Sequence, residues 1–340
     1  MLLVLLLSLA VVAAAQFNTR LPMGGGSGCA GVLFVLFGPH GEQVQFALSR
    51  DGRVFENLNH NGTPVAALLP RNGTSVRDPF VRRSPGDNLY HLVATNGAGF
   101  GNTPTILHWS SPDLVQWSPQ ATLAVMAPLA ADLAYTWAPE WVWDAERGEH
   151  IVFWATQWRA GREHFAARCT NSNTARFTFW AVRTADWRTF SAPFELYDPA
   201  CVPNDYAPDQ YGDGGIDGDL WLDSATGSYL LFYKDSRAPK PTGVGPMQLT
   251  SGVRLAVSQP HNATGFTAAP NATLIGPWGT EGPELLLVND TRHLYFDCSF
   301  QPTPPGYPRP PYGLATAPAS APLTDPTIWF ERRRRRRRRR

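Results

Sequence analysis

Four segments of the chain share a spacing that constrains its fold more than any other feature. Each segment opens on a short acidic or proline-containing motif, and an apolar, strand-like run begins twelve residues after a fixed motif position. The four pairs of motif position and run start are Asp78 and Tyr90, Ala138 and His150, Asp217 and Tyr229, and Glu281 and His293. A constant offset in four copies predicts one supersecondary unit repeated along the chain.

The repeats predict a single five-bladed β-propeller. Each copy continues into another short strand and a polar turn, as at 109–117 and 181–187, and a further copy of this closing part stands at 46–55. Units of about 60 to 80 residues with strand patterns and few helix patterns are typical of antiparallel blades. We expect an all-β domain over 16–331, its ring closed by N- and C-terminal strands that share a blade. A two-sheet β-sandwich is the alternative, but it does not predict the constant offset.

The charge balance argues against binding to nucleic acid. The 340 residues include 29 Lys and Arg against 28 Asp and Glu, but nine arginines form one run at 332–340. Without that run, 20 basic residues face 28 acidic ones, so the body of the chain is acidic, whereas nucleic-acid-binding proteins carry basic surfaces. The arginine run has no apolar residue and is expected to be a solvated, disordered tail.

The N-terminus has the pattern of a secretory signal peptide. Residues 1–15 are almost wholly apolar and end on three alanines, and small residues at this place suit signal peptidase. The run is too short to span a bilayer, and no later apolar run is long enough. We predict a secreted protein without a membrane span; an uncleaved anchor is the alternative.

The cysteines and the glycosylation acceptors fit an extracellular compartment. Cys29, Cys169, Cys201 and Cys298 are even in number and lack the CxxC spacing of metal sites, so disulfides are favoured over a metal centre. The pairs Cys169–Cys201 and Cys29–Cys298 are favoured, and the two other connectivities stay open. N-x-[ST] acceptors, which mark surface positions in secreted proteins, occur at Asn61, Asn72, Asn262, Asn271 and Asn289.

The repeat spacing gathers three carboxylates at one mouth of the predicted channel. Equivalent positions on the innermost strands of a propeller form a ring, and three of the four carry Asp78, Asp217 and Glu281. Clustered carboxylates repel one another, so at least one should have a raised pKa. A protonated acid beside an ionised base is the arrangement that hydrolyses a glycosidic bond. Capping of turns or binding of a cation is the alternative role of these acids.

At these residues the sequence resembles glycoside hydrolase family 43, the five-bladed arabinanase and xylosidase group. The resemblance implies an inverting glycosidase in which Asp78 is the general base, Glu281 is the general acid, and Asp217 orients the acid and tunes its pKa. No cofactor is expected to be required, and a structural calcium ion is left open. The resemblance covers roughly residues 30 to 330, and its motifs are Val76-Arg77-Asp78-Pro79, Trp137-Ala138-Pro139-Glu140, Ile216-Asp217-Gly218-Asp219 and Thr280-Glu281-Gly282-Pro283.

Four further residues are candidates for substrate binding. Trp137 and Trp141 flank the second motif, and aromatic faces stack well on sugar rings. Asp219 follows Asp217 by two residues, so in an alternating strand it faces the same way. Arg254 stands at the start of a third strand and could contact the acid or its modulator; a position on the blade surface is the alternative.

Together these patterns predict a secreted, monomeric glycosidase. Its partner would be an oligosaccharide or polysaccharide of plant or algal type, with an arabinofuranoside or a xyloside as the favoured substrate. The alternative function is that of a propeller that binds carbohydrate without turning it over.

Overall fold

A computed structural model describes thirteen stretches of the chain, and their regular structure is almost entirely β-strand. The stretches are 31–37, 42–50, 52–58, 68–71, 75–97, 103–159, 177–199, 214–238, 250–275, 280–288, 290–297, 312–322 and 330–331. The signal-peptide pattern, the four cysteines and the arginine tail lie outside these described residues. Within them, no helix has the length and hydropathy needed to cross a bilayer.

Five antiparallel sheets follow one another along the chain as five blades. The first contains β1 (Val32–Phe37), β2 (Val44–Ser49) and β3 (Glu56–Asn57). The second contains β4 (Val76–Arg83), β5 (Tyr90–Asn96), β6 (Ile106–Ser111) and β7 (Ala121–Leu123), and a 3-10 helix at Ala127–Leu129 follows it. The third contains β8 (Leu133–Asp144), β9 (Glu149–Trp158), β10 (Phe177–Thr184) and β11 (Phe194–Tyr197). The fourth contains β12 (Gly215–Asp223), β13 (Ser228–Ala238), β14 (Thr250–Val257) and β15 (Thr267–Ile275). The fifth contains β16 (Glu281–Val288), β17 (Thr291–Asp297), β18 (Tyr312–Pro318) and β19 (Phe330–Glu331).

The inner strands of the blades are neighbours around one axis, which confirms the predicted five-bladed propeller. Strand β4 packs between β1 and β8, and β12 packs between β8 and β16. Both faces of a blade meet another sheet, so its strands are buried on both sides. Strand β9, for example, is buried at eight of its ten positions.

The prediction that N- and C-terminal strands share one blade is not met within the described residues. The first blade consists of β1 to β3 and the fifth of β16 to β19, so no described strand is shared by the two chain ends. Side chains make the junction instead. The Tyr295 hydroxyl donates a 2.6 Å hydrogen bond to the carbonyl oxygen of Gly52, and the Tyr295 ring meets Phe55 edge-on at 6.2 Å.

A β-bulge interrupts the inner strand of the second, third, fourth and fifth blades. The strand pairing shifts by one residue at each site. The extra residues are Asp78, Ala138, Asp217 and Gly282, with φ of 46°, 47°, 52° and 52°. A positive φ is uncommon outside glycine, so its recurrence marks these four positions as structurally equivalent.

The predicted equivalence of Glu281 with the other motif positions is therefore wrong by one residue. In the second and third blades, the residue two positions after the bulge lies opposite a residue thirteen positions later in the sequence, as Phe80 lies opposite Val93. In the fifth blade Glu284 pairs with Tyr295, only eleven positions on, because the hairpin is two residues shorter. The residue twelve positions before His293 is therefore Glu281, which precedes the bulge residue Gly282.

The junction between the first and fifth blades can be tested with Tyr295→Phe. The variant leaves the buried Gly52 carbonyl without this donor, and such a loss costs about 1–2 kcal/mol. We expect the free energy of unfolding in urea to fall by that amount. Tyr90→Phe removes a hydroxyl from a half-buried ring of the second blade and should change stability less. Equal effects of the two variants would contradict a special role for the Tyr295 contact.

Candidate active site

A cleft of about 260 Å³ lies where the bulged ends of the inner strands meet. Its walls include all three predicted catalytic carboxylates, Asp78, Asp217 and Glu281, together with Trp137. These four residues come from four different blades: the second, third, fourth and fifth blades supply one each. The structure thus brings together residues that are up to 203 positions apart in the sequence.

The bulges explain why adjacent side chains can share this cleft. In a regular strand successive side chains point to opposite faces, but an inserted residue breaks the alternation. The residue before the bulge and the bulge residue itself both line the cleft at 77–78, 137–138, 216–217 and 281–282. Glu281 therefore reaches the site from the position that Arg77, Trp137 and Ile216 occupy in the other blades.

Asp78 lies at the floor of the cleft between a cation and a hydroxyl. Burial raises the pKa of its carboxyl, while the charge of Arg77 and a hydrogen bond from the Thr95 side chain oppose the rise and the charge of Glu281 adds to it. Arg77 is itself held 3.9 Å from Glu42 and 5.3 Å from the Phe37 ring centroid. The ionised form of Asp78 is thus stabilised by a nearby cation, Arg77, and by a hydrogen bond from Thr95.

Asp217 is a carboxyl of the cleft whose pKa is raised to neutrality. Burial raises its pKa to about 7; the Lys234 ammonium and the Gly282 backbone N–H lower it, and the charges of Glu281 and Asp78 raise it further. Because the groups interact, the proton belongs to the cluster as well as to Asp217. The cleft can therefore hold a proton near neutral pH.

Lys234 is a functional candidate that sequence reasoning missed. Its ammonium forms an ion pair with Glu281 Oε1, and its side chain is 7% exposed. It lies on β13 directly across from Ile216, the residue before the Asp217 bulge. A lysine inside the apolar run that begins at Tyr229 was the available signal, since lysines are almost never buried without a partner.

A second group of carboxylates, called the lower ring below, lies further along the same strands, and two of its members, Glu140 and Glu284, also line the cleft. Glu140, Asp219 and Glu284 each stand two residues beyond a bulge, and their nearest oxygen atoms are all within 4.8 Å of one another. In the second blade Phe80 takes this position. Asp219 accepts a 2.8 Å hydrogen bond from the Leu285 N–H and is fully buried, so it lies beneath the cleft and does not line it.

Arg82 supplies the positive charge of this lower ring. Its guanidinium lies 3.6 Å from Asp219 and 3.9 Å from Glu284, and it donates to the Trp141 carbonyl at 3.1 Å. Burial raises the pKa of Asp219 to about 6, against the opposing charge of Arg82. Burial and mutual repulsion raise the pKa values of Glu140 and Glu284 well above the ordinary value. Burial therefore favours the neutral form of all three carboxyls.

The lower ring is the described oxygen cluster that would suit a structural calcium ion. Carboxylate oxygens are the ligands that calcium prefers. However, the Arg82 guanidinium already stands at this ring and neutralises part of its charge. The optional calcium ion stays a prediction.

Three of the four predicted binding residues do not line the cleft: Asp219, described above, Trp141 and Arg254. Trp141 is fully buried between the second and third blades, where its indole N–H donates to the His91 carbonyl at 3.0 Å. Arg254 is buried on β14 and pairs with Asp235 at 2.9 Å. Trp137 does line the cleft, packed against Tyr135 and Phe177 at ring distances of 4.4 and 5.3 Å.

The fold and the site define the class of protein as a propeller-type glycoside hydrolase. A family model described as a probable glycosyl hydrolase domain, related to glycosyl hydrolase family 43, matches residues 28–307. Because the match spans most of the chain, the protein belongs to this glycosyl hydrolase 43-related family and is a glycosidase with a carbohydrate substrate.

Solved structures agree with this assignment at the level of the fold. A glycosyl hydrolase from Bacteroides ovatus is similar with a TM-score of 0.58 and 13% identity, over 92% of this chain and 84% of that chain. An endo-arabinase from Bacteroides thetaiotaomicron gives 0.55 and 12%, over 84% and 89%. An alpha-L-arabinofuranosidase from Lactobacillus brevis gives 0.50 and 16%, over 76% and 72%. No curated protein matches the chain.

The raised pKa of Asp217 predicts a pH-dependent stability. Since its folded-state pKa is about 7 against an ordinary 3.8, the folded protein holds the extra proton between these values and loses stability as the pH rises. Asp217→Asn removes this titration and keeps an acceptor for the Gly282 N–H. Its melting temperature should exceed that of the wild type by a few degrees at about pH 8 and by less at about pH 5.

Circular dichroism melts at both pH values measure this difference. Asp113→Asn is the matched control, because Asp113 is exposed on a turn of the second blade. A gain for Asp217→Asn that is equal at both pH values would show that the carboxyl is already ionised at the lower one, against the argument above.

Proposed function

We propose that the protein is a secreted, monomeric glycosidase that cleaves O-glycosidic bonds of plant- or algal-type oligosaccharides or polysaccharides with inversion. An arabinofuranoside or a xyloside is the proposed substrate. The observation that carries the proposal is the convergence of Asp78, Asp217 and Glu281 on one cleft. The endo-arabinase and arabinofuranosidase among the structures with the same fold support the choice of sugar.

Asp78 acts as the general base in this proposal. Its ionised form is favoured by Arg77 and Thr95, so it can accept a proton from a water molecule on one face of the sugar. The water oxygen then bonds to the anomeric carbon while the glycosidic bond on the opposite face breaks. The configuration at that carbon is therefore inverted.

Glu281 acts as the general acid and gives its proton to the leaving oxygen. Asp217 stands next to it in the electrostatic network, where burial raises the pKa of Asp217 to about 7. Lys234 contacts Glu281 directly and would stabilise the carboxylate that remains after the proton has left. Asp217 and Lys234 are thus positioning residues that act through Glu281.

The proposed secretion is supported by the sequence rather than by the cleft. The apolar residues 1–15 have the composition of a signal peptide. Of the five glycosylation acceptors, Asn262 lies on an exposed turn between β14 and β15.

The acid role is tested with Glu281→Gln. Loss of the proton donor should lower kcat on natural glycosides about 10²- to 10⁴-fold, and aryl glycosides with good leaving groups should lose less because they need little protonation. Glu149→Gln is the control, since Glu149 lies at the far end of the third blade, 3.7 Å from Arg183. Wild-type activity of Glu281→Gln on a natural glycoside would refute the assignment.

The stereochemical outcome is tested by proton NMR of the first product formed. Wild-type enzyme should release the inverted anomer from an arabinoside or a xyloside, and Asp78→Asn should release none. A product with retained configuration would overturn the single-displacement mechanism even if the protein is a glycosidase.

Trp137 and Trp141 form a matched pair for the substrate-binding wall. Trp137→Ala removes a stacking surface from the cleft and should raise KM about 5- to 10-fold, the equivalent of roughly 1 kcal/mol. Trp141→Ala opens a buried cavity and should lower the free energy of unfolding by about 3–5 kcal/mol. Steady-state kinetics and urea melts separate the effects, and a KM unchanged in Trp137→Ala would remove that residue from the wall.

One observation favours a second candidate, a propeller that binds carbohydrate without turnover. The ion pair of Lys234 with Glu281 favours the ionised form of the proposed acid, which opposes proton donation. This candidate predicts saturable binding on a glycan array and no product in the NMR assay. Product formation by the wild type excludes it.

A further inference from the structure

A second cluster of reactive side chains lies at the opposite end of the blades from the cleft. The hairpin turn after β4 stands about 20 Å from Asp78, since six strand residues rise roughly 3.3 Å each. At this end the turn residues Ser84 and Asp87 of the second blade meet His91 of β5 and His150 of β9. The cluster therefore joins the second blade to the third.

The spacing of the polar atoms in this cluster is that of a ligand set. One carboxylate oxygen of Asp87 and one ring nitrogen each of His91 and His150 all lie within 4.8 Å of one another. The Asp87 and His91 atoms are 2.9 Å apart, and Ser84 Oγ lies 2.8 Å from His150 Nε2. Both imidazole rings are buried, whereas the Asp87 side chain is 38% exposed, so the cluster opens to solvent on the carboxylate side.

The other nitrogen of each ring has a partner suited to support a ligand. His150 Nδ1 lies 3.2 Å from the Thr184 carbonyl oxygen, which can only accept, so Nδ1 carries the proton and Nε2 offers a lone pair. His91 Nδ1 lies 3.0 Å from His108 Nε2 and can donate to it. Metal-binding histidines typically donate their second N–H to such acceptors.

Aromatic packing holds the rings in place. Trp187 stacks on His91 and His108 with ring centroids 4.5 and 4.4 Å apart. Trp141 meets His150 edge-on at 5.1 Å. Burial lowers the pKa of His150 to about 4 and that of His108 to about 3, so both rings are neutral at ordinary pH. A ligand would meet side chains that are already oriented.

We propose that Asp87, His91 and His150 bind a divalent transition-metal ion, with Zn²⁺ as the representative. Two imidazole nitrogens and one carboxylate oxygen are a common ligand set for such ions. Ser84 Oγ or a water molecule would take a further position. Binding at Nε2 moves the His91 proton to Nδ1, and the neutral His108 ring moves its own proton from Nε2 to Nδ1, so that His108 Nε2 can accept the hydrogen bond from His91. The ion would fix the second blade to the third, far from the carboxylate cleft and independently of its chemistry.

The test uses the full chain after removal of metals with EDTA, with Co²⁺ and Zn²⁺ as probes. One equivalent of Co²⁺ should produce a visible absorption band of a low-symmetry nitrogen and oxygen site, and one equivalent of Zn²⁺ should abolish it. Zn²⁺ should also raise the melting temperature. In ¹⁵N NMR spectra, Zn²⁺ should shift the Nε2 signals of His91 and His150 and leave both Nδ1 atoms protonated.

Variants assign the binding to this cluster. Asp87→Asn, at an exposed turn position, should fold normally and weaken Co²⁺ binding at least ten-fold, and His150→Gln should abolish the band. Asp113→Asn, an exposed aspartate in another turn of the same blade, should bind as the wild type does. Glycosidase activity of Asp87→Asn should equal that of the wild type, because the cluster lies away from the cleft.

Three results would overturn the proposal. They are the absence of a Co²⁺ band and of a Zn²⁺ effect in the wild type, binding that Asp87→Asn leaves unchanged, and ¹⁵N shifts confined to other histidines. In each case the cluster would be a hydrogen-bonded contact between blades and not a metal site.

Discussion

The structure depends on a backbone constraint, the left-handed residue inserted into four of the inner strands. Three non-glycine residues, Asp78, Ala138 and Asp217, hold φ near 50° there, a conformation that costs free energy and persists only when its surroundings fix it. Each bulge turns two adjacent side chains toward the axis and reverses the alternation of the rest of the strand. The cleft, the lower carboxylate ring and the packing between blades all follow from this one insertion.

Charges around the axis are arranged in two levels, each with its own cation. The upper level contains the three predicted catalytic carboxylates with Lys234 paired to Glu281, and the lower level contains Glu140 and the buried Asp219 and Glu284, the last two beside Arg82. Burial raises carboxyl pKa values at both levels, so protons as well as cations limit the net negative charge. The site can therefore concentrate acids without the repulsion that a fully ionised cluster would suffer.

The sequence was sufficient to predict the five blades and the three carboxylates of the cleft, because both repeat with a regular spacing. It could not predict the register of the fifth blade, since a hairpin shortened by two residues preserved the twelve-residue count to His293 by coincidence. It also proposed both Trp137 and Trp141 for substrate binding, because they flank the second motif; in a regular strand these two residues, four apart, would face the same way. The bulge at Ala138 reverses that alternation and buries Trp141. Lys234 escaped notice because the repeat comparison used only the start of the second strand of each hairpin, which is Tyr229 in the fourth blade.

The bulge of the third blade makes the sides of the cleft chemically different from one another, which identical repeats would not do. Ala138 presents a methyl group where the second and fourth blades present carboxylates, and Trp137 and Pro139 flank it in the cleft lining. The third blade consequently presents an aromatic ring and a methyl group beside Glu140, while the second, fourth and fifth blades present Asp78, Asp217 and Glu281. A sugar ring has a face rich in C–H bonds and edges rich in hydroxyls, so only one of its two orientations matches both sides. Enantiomeric sugars would present these groups in mirror-image order, and the cleft would distinguish them before any bond is broken.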